Sequence, residues 1–234
     1  MDYPGPTDAP VTGRTDTTPR PTPARGAPAP PAPRSALVAL VVAGLSFALL
    51  PPLFPHDSAL PGVAGAAATA TTAWTVSHLF GMLALVTLPL GVYGIRPTLG
   101  RGGGVAAVLV AAGAGLALPY YGGETFGAAA VAELVVRTGD AGLVDGIAAI
   151  RWGLLPAAFL TGGMLLLAIG GVLLARSVHR GGATPGWAGV PLAAGLVLFV
   201  PQFFAPPGVR VAHGLLLLAG CILLARAARG RSTG

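Results

Sequence analysis

His78, His213 and Glu124 are the residues in this 234-residue chain with the most chemistry to offer. Each of the two histidines lies about one turn inside an apolar run. Arg210 precedes His213 by three, so the two share a helix face. Tyr120, Tyr121, Glu124, Gln202, His56 and Asp57 sit at the ends of apolar runs or in the links between them. Two imidazoles and a carboxylate can bind a divalent metal. Two histidines on facing helices can also ligate a haem iron, with an arginine for a propionate. Neither reading has the spacing of a known site, because the ligands come from separate helices, and no particular cofactor is implied. The plain alternative is that His78 and His213 are interfacial residues bonded to backbone or water. The candidate cluster is therefore His78, His213, Glu124, Arg210, Tyr121 and Gln202. Whether it is catalytic stays open.

Other chemistry is poorly supplied. Gly44-Leu45-Ser46-Phe47-Ala48 approximates GxSxG but lacks the last glycine and the strand–turn–helix setting. Membrane hydrolases of the ceramidase type combine several His with Ser and Asp; His56, Asp57, Ser77, His78 and His213 are the residues that could be assembled so. The chain has no Lys, which removes the P-loop and Schiff-base enzymes of the pyridoxal type. It has no Asn, hence no glycosylation sequon. Cys221 is its only cysteine, so there is neither an intrachain disulfide nor a CxxC motif.

The elements that must position these residues are long and apolar. Hydrophobic residues make up 53% of the chain against 9% charged, and mean hydropathy is +0.75. So few charges cannot coat a soluble core, so the solvent expected is the bilayer. Six segments, about 35–53, 73–95, 104–121, 152–175, 187–205 and 208–228, approach the ~20 residues that cross a ~30 Å hydrocarbon core. In lipid every backbone N–H needs a partner within its segment, so each is expected to be a helix. No Asp, Glu or Arg falls in the central part of any segment. That excludes a voltage sensor and disfavours an ion-coupled pump.

Residues 1–34 differ from the rest. They hold ten of the 23 prolines with four Arg and three Asp, the composition of a disordered tail and not of a cleaved signal peptide. The net charge of +6 is carried by arginines at segment edges, without interleaved aromatics, so a nucleic-acid partner is not expected. Eleven of the 14 arginines fall in the tail, the links 96–103 and 176–186 and the C-terminal end. The other side carries Arg137, Arg151 and Arg210 and every acid outside the tail. By the positive-inside rule both termini are cytoplasmic and the protein is multi-pass in the plasma membrane. The long outer link, about 122–151, should hold a short interfacial helix with Glu133 and Arg137 paired at i, i+4. Asp140 should cap a turn leading into Arg151-Trp152.

Three segments end alike, with Leu50-Pro51-Pro52-Leu53-Phe54, Leu118-Pro119-Tyr120-Tyr121 and Val200-Pro201-Gln202-Phe203-Phe204. This pattern either records related hairpins or reflects prolines ending helices and aromatics gathering at interfaces. Gly103, Ala107, Ala111 and Gly115 recur every four residues, as do Ala158 and Gly162, which suits close helix packing inside the bundle or a dimer face.

The stretch Tyr120-Tyr121-Gly122-Gly123-Glu124-Thr125-Phe126-Gly127, the run Val200–Pro207 and the pair Trp74 and His78 resemble uncharacterised six-helix integral membrane proteins of high-GC actinobacteria. That resemblance implies a six-helix fold over most of 35–228 and joint importance of Glu124, His78 and His213. It implies no activity.

The expectation is an all-α, polytopic membrane helix bundle with six transmembrane helices (35–228), a disordered N-terminal tail (1–34) and a short cytoplasmic end (229–234). The leading function is a small-molecule or ion binding or permeation module with an outward polar cup. A metal- or haem-dependent enzyme or redox protein using His78, His213 and Glu124 is the alternative, and a structural subunit of a membrane complex is a third. The partners expected are the lipid bilayer and a second copy or a membrane-complex subunit.

Overall fold

The computed structural model describes residues 31–183 and 185–230. The tail reading for residues 1–34 therefore lies almost wholly outside the described residues, as do the last four residues. Every regular element described is helical: α1 (Arg34–Leu53), α2 (Gly62–Thr69), α3 (Thr72–Gly94), α4 (Gly103–Gly122), α5 (Ala129–Thr138), α6 (Val144–Trp152), α7 (Leu154–Arg180), α8 (Val190–Val197) and α9 (Pro207–Gly230). Five helical stretches are long and apolar enough to cross a membrane: α1, α3, α4 with α5, α6 with α7, and α9. That is the character of an integral membrane protein. Large aliphatic side chains such as Val38, Leu45, Leu83, Val108, Leu165 and Leu215 lie exposed along them, a surface suited to lipid and not to water.

The helices pack as a closed ring. α1 lies against α3, α3 against α4, α4 against α7, α7 against α8, α8 against α9, and α9 returns to α1. The interior is filled by aliphatic side chains, among them Leu40, Leu88, Leu167, Leu196, Leu217 and Leu224, all fully buried. α4 and α7 meet at glycines: a Cβ on Gly113 would stand 2.6 Å from the Gly163 carbonyl oxygen, and one on Gly163 2.7 Å from that of Gly113. This corrects the small-residue stripe expected from spacing. Gly103 and Ala107 are buried, but Ala111, Gly115 and Ala158 are exposed, and a Cβ on Gly115 or Gly162 would touch nothing. The reason is geometric. A step of four residues overshoots the 3.6-residue turn by about 40°, so three such steps carry a stripe off the packed face.

The segment 187–205 is the second departure. It takes the sixth place in the ring but forms only the eight-residue α8, then turns and a 3-10 turn at Pro201–Phe204. Pro201 has no N–H for the Val197 carbonyl, and the chain tightens before it. The Phe199 N–H donates to Leu196 O and not to Gly195 O, which leaves the Gly195 carbonyl without its helical donor.

The link 122–151 holds more helix than expected. α4 does not stop at its Pro119 but runs through a π turn, Gly123–Ala128, into α5 as one 36-residue stretch. At 1.5 Å per residue such a stretch exceeds a hydrocarbon core and carries α5 beyond it. Asp140 caps the following turn, accepting from the Gly142 N–H at 2.8 Å, and leads into α6. Glu133 and Arg137 do not approach within ion-pair distance; the one ion pair among the described residues is Arg151 with Glu124. α2, α5 and α6 share a small core of Ala66, Ala128, Ala132, Val135 and Ile147, and form a cap over this end of the ring.

Candidate functional site

Glu124 sits in the π turn, where one extra residue per turn rotates it inward with Thr125 and Ala128. It is 2% exposed. A carboxylate so buried needs full compensation, and it has it. Arg151, at the end of α6, donates from Nε to Oε1 at 2.8 Å and from Nη2 to Oε2 at 3.1 Å. The Tyr120 hydroxyl, one turn earlier, donates to Oε1 at 3.2 Å. Arg151 Nη1 also reaches the Ser58 carbonyl at 3.4 Å, tying α6 to the link after α1. A bidentate Arg–carboxylate pair fixes geometry as well as charge.

α3 braces this pair from the side. The Trp74 indole N–H donates to the main-chain carbonyl of Glu124 at 3.0 Å, and the Arg151 guanidinium lies 5.0 Å from the Trp74 ring centre. Trp74 is placed by Thr71, whose hydroxyl accepts from its N–H. His78, one turn down, stacks on Trp74 with ring centres 4.0 Å apart, and its Nδ1 bonds the Trp74 carbonyl at 2.9 Å. Phe54 and Tyr121, two of the aromatics that follow the repeated prolines, complete the cluster around His78.

His56 lies beside Phe54 in the link after α1. Burial holds its imidazole below the usual 6.5, the Arg210 charge adds to this, and Asp57 partly offsets it.

His213 belongs to a different neighbourhood. Its Nε2 bonds the Gly195 carbonyl at 2.8 Å, the one released by the break in α8, and its ring packs edge-on against Phe199. Arg210 donates to the carbonyls of Ala205 at 2.9 Å and Phe203 at 2.6 Å, and its guanidinium lies 5.8 Å from the Phe54 ring centre, at the edge of the aromatic group around His78. Gln202 is the buried residue of the 3-10 turn at Pro201–Phe204.

The expected cluster is thus divided. Glu124, Tyr121 and His78 come together; His213 and Arg210 serve the α8–α9 corner. Glu124 takes Arg151 and Tyr120 as partners where an imidazole or a shared cation was expected, because only an arginine matches both carboxylate oxygens at once. Among the described residues no group of three His, Cys, Asp or Glu is close enough to hold a metal ion. Arg151, Ser58 and Tyr120 are the residues the spacing undervalued. The signal available was a count: a buried acid on this side had only Arg137, Arg151 and Arg210 to pair with.

Two hollows flank the ion pair. One, about 210 Å³, lies between α2 and α6 and is lined by Ser58, Leu60, Thr69, Ile147, Arg151 and Trp152 among others. The second, about 290 Å³, is an apolar groove between the C-terminal end of α4 and the N-terminal end of α7, with Tyr120, Ile150 and Phe159 on its walls.

The site and fold define an all-helical protein with membrane-crossing helices and a capped polar end. Compared with known proteins, the chain matches no family model, no curated protein and no solved structure.

Proposed function

We propose that this is a six-span plasma-membrane protein with cytoplasmic termini whose outer end binds a small molecule in the cavity between α2 and α6. The observation that carries the reading is Arg151: a buried carboxylate holds its guanidinium in one orientation on the wall of a cavity of about 210 Å³. Such a concave site with a few fixed polar groups is the usual form of a ligand pocket. Three further observations support the reading. α8 fills the sixth place in the ring, in keeping with the resemblance to six-helix membrane proteins. The eleven-to-three division of arginines supports cytoplasmic termini. The aliphatic filling of the ring favours binding at the outer end over permeation through it.

The test is labelling of intact cells with a membrane-impermeant maleimide in a Cys221→Ala background. Ala59→Cys, Ala141→Cys and Ala148→Cys should react from outside, the last at the cavity wall, and Ser232→Cys only after permeabilisation. The reverse pattern would overturn the orientation and the outward site together.

The partner reading draws on one observation of its own. Ala111 and Gly115 of α4 are uncovered by the rest of the fold, and small residues spaced by four suit a second membrane helix. Disulfide trapping of Gly115→Cys, in the same background, should yield a dimer if that second helix is another copy; a monomer only would remove this support.

A further inference from the structure

The cavity between α2 and α6 holds unspent hydrogen-bonding capacity of one kind. A guanidinium has five N–H donors. Glu124 takes two from Arg151 along the Nε–Nη2 edge, and the Ser58 carbonyl takes one from Nη1 at a long 3.4 Å. The two others have no partner among the described residues. Ser58 is 4% exposed and lines the same cavity, and its hydroxyl makes no hydrogen bond among the described residues. Among the described residues the one sealed side-chain polar atom without a partner is His56 Nδ1, so the Ser58 hydroxyl keeps some access and can bond a guest in the cavity. The Thr69 hydroxyl, by contrast, is satisfied by the Gly65 carbonyl within α2.

Charge narrows the choice of partner. Glu124 already balances Arg151, so a bound anion would leave an uncompensated negative charge at a partly buried site. A cation would meet donors only. An uncharged oxygen acceptor meets neither penalty. The remaining walls, Leu60, Ala66, Val144, Ile147 and Trp152, suit a short apolar body. A space of about 210 Å³ admits a small molecule and not a large one.

Resting on the outward-site reading above, we infer that the cavity takes a small uncharged carbonyl compound, an amide, ketone or ester, whose oxygen accepts from Arg151 and Ser58 while its alkyl part lies against Ile147 and Trp152.

Butyramide and butyrate test this, since they match in size and differ in charge. The readout is the rate at which a maleimide modifies the purified full-length Ala148→Cys, Cys221→Ala protein, with either compound titrated in. Butyramide should slow labelling several-fold and saturably, and butyrate should not. Adding Ser58→Ala, which removes a hydroxyl with no hydrogen bond among the described residues, should weaken butyramide protection about 5-fold, the worth of one neutral hydrogen bond. Equal or better protection by butyrate would overturn the uncharged class and leave the outward site standing. Labelling from outside with protection by neither compound, or protection indifferent to Ser58→Ala, would overturn the inference alone. A cysteine unreactive from outside would overturn the outward site on which the inference rests.

Discussion

His78 and His213 occupy matching places in the sequence, each one turn inside a long helix, and the two regions use them in opposite ways. In the α3–α4 corner a π turn brings a carboxylate inward, and an arginine, a tyrosine and an indole gather around it; His78 contributes a ring to that aromatic packing. In the α8–α9 corner no acid among the described residues forms an ion pair. A proline-tightened helix leaves a carbonyl unpaired, and His213 supplies the missing donor. What decides a histidine's role here is therefore the backbone opposite it. A widened turn exposes a side chain to be neutralised; a tightened one exposes a main-chain oxygen to be capped.

The largest expected effect breaks the first corner. Arg151→Ala would strand the Glu124 carboxylate and should cost about 3–5 kcal/mol, read as lost thermal stability of the detergent-solubilised protein. Arg151→Lys keeps the charge but not the two-pronged fit, and should recover part of that loss. A loss below ~1 kcal/mol for Arg151→Ala would mean the pair behaves as an exposed one.

A crossed exchange sharpens the contrast between the histidines. His213→Ala should cost about 1–3 kcal/mol by orphaning the Gly195 carbonyl, and His213→Gln should restore much of it because the amide can donate. His78→Ala loses mainly ring contact, since the Trp74 carbonyl keeps its own helical donor and the Ser77 hydroxyl. There His78→Phe should do the rescuing, within about 1 kcal/mol of the parent, and His78→Gln should not. The same rescue pattern at both positions would erase the distinction.

The smallest effect is a pH slope. The folded His56 imidazole titrates below 6.5, so the unfolded chain binds the proton more readily in the interval below that value. Stability from this group is then full above pH 6.5 and falls as the pH drops towards the lowered folded value. Melting at pH 7.5 and 5.5 should show a greater acid loss for the parent than for His56→Gln.

Much of the scaffold was legible from hydropathy. The expected segments 35–53, 73–95 and 208–228 coincide within two residues with α1, α3 and α9. Backbone satisfaction in lipid leaves such runs little choice but helix. The π turn was not legible, because one inserted residue leaves no periodic trace among Gly122, Gly123 and Glu124, and without it the inward turn of Glu124 cannot be read. Nor was its partner, since Arg151 is 27 residues away on a separate helix. The break after α8 had a visible cause in Pro201, yet its consequence, a free carbonyl facing His213, depends on packing between helices. Four-residue spacing did not reveal that Ala111 and Gly115 face outwards from the bundle, because a helix turns every 3.6 residues and carries them off the packed face.

A double-mutant cycle on Glu124→Gln and Arg151→Gln tests most directly that the capped end is organised by this one pair. Thermal stabilities of the parent, both single variants and the double variant give the coupling. The account predicts strong non-additivity, about 2–3 kcal/mol, with the double variant more stable than Arg151→Gln alone. Additive losses within about 0.5 kcal/mol would contradict it.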